Sequence, residues 1–283
     1  MTDTSTCEVV TLPSGMRAIR DRASGQTMHC GTGPTVEPQE VYLRPSRLAE
    51  RLLEPGAPLV LFDAGLGAAS NALAAFWASD ASNGTRRLEI VSFDNDLGPL
   101  RLALENENAE HFGFSQPMAR TAARQLLETG RVETARTTWR LAHGDMAVCL
   151  AREAPASADI IFWDMYSARA CPVLWTVEMF KNLHGACRPG ATLHTTRTAT
   201  TARTAMLLGG FCVGRSAGTG ERSETTVAST DVHMLNDPLD ARWLQRLQRS
   251  SAAFPPDVRE ANHAAALLQI GALPQFSVTR PVS

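Results

Sequence analysis

Beyond Pro58 the chain alternates short apolar runs with longer mixed stretches. Leu59–Phe62 is continuously apolar, the mark of a strand covered on both faces. Leu88–Phe93, Thr137–Ala142, Asp159–Trp163 and Ala191–Thr196 read as further strands. Between them the pattern predicts helices over Asn71–Ala78, Leu97–Phe112, Ala119–Thr129, Met146–Arg152, Val173–Cys187 and Thr200–Leu208. The helix over Val173–Cys187 is expected to end at Arg188-Pro189-Gly190. Phe211–Arg215 and Thr225–Ser229 break the alternation and read as a closing antiparallel pair. Strand–helix alternation with short connections predicts an α/β fold: a doubly wound, mostly parallel, seven-stranded Rossmann-like sheet with an antiparallel edge strand.

The first 56 residues differ. Glu8–Leu12 and Met16–Arg20 flank Pro13-Ser14-Gly15, a hairpin signal. A loop over Gly31–Pro38 follows, then a predicted helix over Tyr42–Leu53 that stops at Pro55-Gly56. Residues 1–56 are therefore expected to form a small N-terminal extension, 57–231 the α/β core, and 232–283 a helical tail packing on it. Two helix-like stretches of the tail are split by Pro255-Pro256.

Composition narrows the classes. With 283 residues, 44% apolar and 20% charged, the chain is neither a small disulfide scaffold nor disordered. Its net charge of −2 gives no overall positive field toward nucleic acid. The start, Met1 to Val10, lacks the basic and apolar regions of a signal peptide. The longest apolar stretch, Leu59–Ala78, carries Asp63, Asn71 and two glycines, unlike a membrane span. Cys7, Cys30, Cys149, Cys171, Cys187 and Cys212 form no CxxC pair and accompany no His cluster. A cytoplasmic protein with reduced cysteines and no metal is expected. All 27 basic residues but Lys181 are arginine. A G- and C-rich genome produces that bias, and so does a need for bidentate anion binding.

Four strand ends carry chemistry. The first runs into Asp63-Ala64-Gly65-Leu66-Gly67, with a helix beginning near Ser70-Asn71. Glycines there let a ligand approach the backbone, and a plain tight turn looks the same. The second strand ends at Phe93-Asp94-Asn95-Asp96, where Asp94 can accept both ribose hydroxyls of an adenosine-type cofactor, or where a solvated turn simply carries two aspartates. The third glycine of a dinucleotide fingerprint is Ser70, no Walker lysine follows, and Asp63 would repel phosphate. Asp63 suits an amino-acid ammonium, so the combination favours S-adenosylmethionine over NAD. The third strand delivers His143-Gly144-Asp145-Met146, in which Asp145 is an adenine acceptor, a helix N-cap, or both. The fourth delivers Trp163-Asp164-Met165-Tyr166-Ser167 to the crevice. Asp164 there can hold or deprotonate an amine, or simply cap the next helix. Pro172, Leu174 and Trp175 read either as a pocket wall or as core.

These residues resemble the methyltransferase domain of the bacterial tRNA wobble-uridine modification family MnmC. The family pattern acidic-x-Gly-Phe-Gly-Thr-Gly-Leu-Asn corresponds to Asp63 through Asn71. Asp-x-Phe-Ser/Ala-Pro-x-x-x-Pro-x-Leu-Trp corresponds to Asp164 through Trp175, and Gly-x-Gly-x-Lys-Arg-Glu to Gly218 through Glu224. The segment around His29, Glu37 and Tyr42 is similar to the family's N-terminal extension. Ala68, Ala69, Ser70, Ala168 and Glu221 depart from the pattern.

The resemblance implies a class I methyltransferase that moves a methyl group from S-adenosylmethionine to an amine, such as the aminomethyl group of tRNA wobble uridine. It implies cofactor contacts by Asp63, Gly65, Gly67, Asn71, Asp94, Asp145 and Met146. Asp164 would bind and deprotonate the amine, with Tyr166 shaping the pocket. Substrate contacts would come from Ser167, Pro172, Trp175 and Glu224. The family's FAD-dependent oxidase domain does not fit in 283 residues, so a stand-alone form is expected. Arg17, Arg20 and Arg22, or Arg197 and Arg203, are the clusters expected to meet tRNA, or else solvated arginine faces. A small-molecule or peptide acceptor, a non-catalytic cofactor-binding subunit and an oligomer remain open readings.

Overall fold

A computed structural model of the chain describes residues 6–28, 36–219, 223–250 and 252–277. His29, Cys30, most of the Gly31–Pro38 loop and Glu221 lie outside them. In chain order, a hairpin of β1 (Cys7–Thr11) and β2 (Arg17–Asp21) is extended by β3 (Thr27–Met28). A π-helical turn at Pro38–Leu43 leads into α1 (Arg44–Ser46) and α2 (Leu48–Leu53). The core then runs β4 (Leu59–Ala64), α3 (Ser70–Asp80), β5 (Leu88–Asp94), α4 (Gly98–Ala103), α5 (Pro117–Thr129), β6 (Arg131–Glu133) and β7 (Thr137–His143). It continues through α6 (Met146–Leu150), β8 (Ala158–Trp163), α7 (Val177–Ala186), β9 (Cys187–Thr195), α8 (Thr200–Leu208), β10 (Cys212–Ala217) and β11 (Glu224–Ser229). The tail holds β12 (Asp237–Pro238), α9 (Ala241–Gln248), α10 (His263–Gly271) and α11 (Pro274–Ser277).

The large sheet has the order β12-β10-β11-β9-β8-β4-β5-β7-β6. Its central seven strands form the doubly wound sheet, with β7, β5, β4, β8 and β9 parallel and β11 antiparallel to both neighbours. Two short edge strands, β6 and β12, bring the described total to nine, where the sequence pattern predicts seven. Every residue of β4 and of β8 is buried, as strands covered on both faces must be. One face packs Phe62, Phe93, Trp163 and Phe180 against α7 and α8. The other packs Leu61, Phe76, Trp139 and Phe162 under α3 and the N-terminal segment. Each such side chain contributes about 2 kcal/mol or more of apolar burial.

Three predicted helices are shorter than the apolar pattern suggests. Tyr42–Leu53 is interrupted at Arg47, which adopts a left-handed φ of 54° just after Pro45. The helix after β5 ends at Ala103 rather than reaching Phe112, because Asn108 donates to the Leu102 carbonyl at 3.0 Å and competes for helix acceptors. Val173–Cys187 is a 3-10 turn, Pro172–Trp175, followed by a new start at Thr176, whose side chain accepts from Met179 N. Arg188-Pro189-Gly190 lies inside β9, so that helix meets its strand without an intervening loop.

Candidate functional site

The carboxyl ends of β4, β5 and β8 meet at the strand-order reversal between β4 and β8, where α/β sheets open a crevice. At the end of β4, Asp63 is 1% exposed. Ser92 donates to its Oδ2 at 2.7 Å, and Trp139 Nε1 donates to Ser92 at 2.9 Å, a buried polar chain across three strands. The other carboxylate oxygen, Oδ1, is buried with no hydrogen-bond partner among the described residues. Burial, eased by Ser92 and reinforced by the charges of Asp164 and Asp94, pushes this carboxyl up to about 7.

The turn after β4 is fixed from both sides. Gly65 has φ +93°, and a Cβ there would lie 2.7 Å from the Asp164 carbonyl oxygen. Only glycine allows that approach between the β4 and β8 loops. Gly67 N donates to Asp94 Oδ2 at 2.9 Å, and Asp96 N donates to Oδ1 at 3.0 Å. Burial raises the Asp94 carboxyl, while these amides oppose the shift. Each oxygen keeps a further lone pair for a ligand hydroxyl.

Asp164 follows β8, and Asn71, in the first turn of α3, donates to its Oδ2 at 3.0 Å. Tyr42 is fully buried beside it, its ring tilted by 51° against that of Phe162 with centroids 5.1 Å apart. Its hydroxyl makes no hydrogen bond of good geometry. Burial, then the nearby Asp164 and Glu37 carboxylates, hold this phenol well above its ordinary range. A cleft of 510 Å³ opens on the loop that follows Asp164, lined by Ser167, Ala168, Trp175, Arg197, Ser223 and Glu224 among others, with Asp164 itself outside its lining. Ser167 is pinned by Gln26, whose Nε2 donates to Ser167 Oγ at 2.5 Å. Trp175 Nε1 donates to the Tyr166 carbonyl at 2.8 Å, closing the β8 loop over the cleft.

Other residues singled out in the sequence fall elsewhere. Asp145 is exposed and caps α6, accepting from Val148 N at 3.1 Å, while Met146 is buried beneath it. Pro172 is exposed and outside the cleft lining. Tyr166 is half-buried and outside the cleft lining; its phenol is pushed up by burial and by the charges of Asp21, Cys7, Asp94 and Asp96. Glu224 lines the cleft and is held by Arg203 at 3.0 Å and Arg215 at 3.5 Å. Arg203 is itself 3% exposed and cannot meet a polyanion. On the hairpin, Arg20 pairs with Glu8 at 2.6 Å, Arg22 with Glu8 at 3.5 Å, and Arg17 bonds Asn108 at 3.0 Å. The hairpin arginines are thus spent on internal contacts, and of the arginines singled out only Arg197 lines the cleft. Gln26, and the proximity of Tyr42 to Asp164, had no sequence signal beyond the family-like front segment.

Among the described residues no group of three or more His, Cys, Asp or Glu is placed to hold a metal ion. Nor is any helix there long and apolar enough to cross a membrane. Cys149, Cys171, Cys187 and Cys212 are free thiols.

Fold and crevice define an α/β ligand site, and residues 109–231 match a family described as S-adenosyl-L-methionine-dependent methyltransferase. The chain is a methyltransferase of that class. It is MnmC-like: it is 29% identical over 231 residues to the tRNA 5-methylaminomethyl-2-thiouridine biosynthesis bifunctional protein MnmC of Ectopseudomonas mendocina, covering 74% of this chain and 33% of that protein. The corresponding protein of Methylibium petroleiphilum is 27% identical over 232 residues, 77% of this chain and 34% of the relative. This chain spans about a third of the length of these curated relatives. The crystal structure of MNMC2 from Aquifex aeolicus shares the fold, with a TM-score of 0.74 and 23% identity over 96% of this chain and 87% of that one.

Proposed function

We propose that the crevice binds S-adenosylmethionine and that the chain methylates a primary amine, the aminomethyl group of a tRNA wobble uridine. The buried, unpartnered Oδ1 of Asp63 carries the cofactor reading, since it offers an acceptor to the ammonium of an amino-acid ligand lying on the Gly65–Gly67 turn. Asp94 offers its remaining lone pairs to ribose hydroxyls. Bound there, the cofactor supplies a sulfonium-activated methyl group.

The chain's own work is to present the acceptor nitrogen with a free lone pair, aligned and dry. Asp164 is the residue for that task. Its Oδ2 is fixed by Asn71, so the carboxylate is oriented before any substrate arrives. It accepts a proton from an incoming ammonium, while Trp175 and the Ser167–Gln26 clasp hold the loop that carries it. Arg197, donating to the Met165 carbonyl at 3.4 Å, gives the cleft one cation for an anionic substrate group.

Asp164→Asn keeps the shape and removes the proton acceptor. Calorimetry should find cofactor affinity within about twofold of wild type, while turnover falls about 100-fold or more. Near-normal turnover would remove Asp164 from this role. A free small amine is the competing acceptor, because a 510 Å³ cleft lies within the size range of small-ligand sites. Methyl transfer to small amines with no transfer to tRNA would favour it.

A further inference from the structure

The second concavity of the molecule lies beside the tail, a 550 Å³ hollow lined by Arg215, Asp240, Arg242, Gln245, Arg246 and Arg249. Arg242 and Arg246 of α9 and Arg249, its C-terminal cap, are exposed, with helical spacing i, i+4, i+7. Trp243 and Leu247 of the same helix are buried, which fixes the arginine face outward. The acids near the hollow are already engaged. Asp237 and Asp240 lie 3.3 Å and 3.8 Å from Arg215, and Asp240 also caps α9 by accepting from Trp243 N at 2.9 Å. Arg249 is steadied by donating to the Gln245 carbonyl at 3.2 Å. The three outer arginines thus project as a row of positive charge along about 10 Å of helix.

This row adjoins the cleft. Arg215 lines the hollow, and its Nε lies 3.5 Å from Glu224, which lines the cleft. One ion pair therefore separates the two concavities. Arg246 is also close enough to Arg203, the other partner of Glu224, for its charge to be felt there.

We propose that the arginine face of α9 carries the phosphate backbone of a polynucleotide whose reacting base occupies the cleft. This rests on reading the acceptor as an amine borne by RNA. Exposed arginines in a row, with no ion pair among the described residues, match a backbone of repeated phosphates and add affinity without base selectivity. The net charge of −2 is no obstacle, because the positive charge that matters is local.

The test compares three full-length proteins: wild type, the triple variant Arg242→Gln/Arg246→Gln/Arg249→Gln, and a control triple variant Arg101→Gln/Arg124→Gln/Arg152→Gln. The control removes the same charge from exposed arginines on or next to α4, α5 and α6. Binding of bulk tRNA is followed by fluorescence anisotropy over a KCl series. The α9 variant should bind about tenfold or more weakly at low salt, and its salt slope should be shallower by about 2. Its KM for tRNA should rise with kcat and calorimetric cofactor affinity unchanged, and the control should behave as wild type. Equal losses in both triple variants would overturn the proposal, since they would report net charge alone. So would an α9 variant that loses binding to polyglutamate but keeps its tRNA affinity. If wild type methylates tRNA and the α9 variant keeps its salt slope, this surface is wrong and the acceptor reading stands. If wild type transfers no methyl group to tRNA, the acceptor reading itself fails and the proposal with it.

Discussion

Gly65 and Asp63 show how little freedom the crevice allows at the scale of single residues. Gly65→Ala would force a Cβ to 2.7 Å from a backbone oxygen and place an L residue at φ +93°. The backbone term alone costs about 1–2 kcal/mol, and the clash must displace the loop bearing Asp164. Chemical denaturation should show a loss above that range, and calorimetry a loss of cofactor binding. Asp63 makes a pH prediction whose sign follows from burial. Its carboxyl titrates near 7 when folded, against 3.8 in an exposed chain. Between these values the folded state holds a proton that the unfolded state has released, so this residue's contribution to stability falls as pH rises from about 4 to 7. His194, fully buried and held down to about 3, acts oppositely, its contribution being lost as pH falls below 6.5. In Asp63→Asn the falling component disappears. Urea midpoints of the variant should gain on wild type as pH goes from 4 to 7, by on the order of 1 kcal/mol per pH unit. Parallel pH profiles would contradict it. Asp63, Gly65, Asp94 and Asp164 were legible because each stands where an apolar run stops, the place a parallel strand delivers a side chain to the crevice. Asn71 was read as a cofactor contact, and its bond to Asp164 was not legible, because 93 residues separate the partners.

Elements were legible where burial is uniform and illegible where a polar side chain overrides the apolar pattern. β4, β5 and β8 appeared with their centres right, since a run covered on both faces leaves one reading. The failures at Arg47, Asn108 and Thr176 share a cause: a local backbone preference or a side-chain hydrogen bond outcompetes continued helix. Edge strands β6 and β12 have three and two residues, too short for any periodicity to register. The tail is joined to the sheet by a contact with no sequence signature. Gln275, in α11, accepts from Val213 N at 2.8 Å and donates to the carbonyls of Val213 at 3.1 Å and Leu239 at 3.2 Å. Gln275→Ala takes the partner from Val213 N and the Leu239 carbonyl, at about 2 kcal/mol, while the Val213 carbonyl still accepts from Leu239 N at 2.8 Å. Hydrogen exchange should accelerate at β10 and through α10 and α11, with β4 and β8 unaffected.

At the scale of the whole molecule, the described residues place a cleft and an arginine-lined hollow beside the crevice of the sheet. The arginine bias of the composition resolves into different fates: Arg203 is buried in an ion pair, the hairpin arginines bind their own chain, Arg197 reaches the cleft, and the α9 row faces outward. Neither the −2 charge nor the motif departures at Ala68, Ala69 and Ser70 remove a group that the proposed chemistry uses. Ala69 does take a left-handed φ of 65° where the family pattern has glycine, so the turn keeps its shape without it. The most direct test supplies labelled S-adenosylmethionine and tRNA bearing an unmethylated aminomethyl wobble uridine. The nucleosides are then read by mass spectrometry. The account predicts the gain of one methyl group on that amine, abolished in Asp164→Asn. An unchanged wobble nucleoside, from protein that calorimetry shows to bind the cofactor, would contradict it.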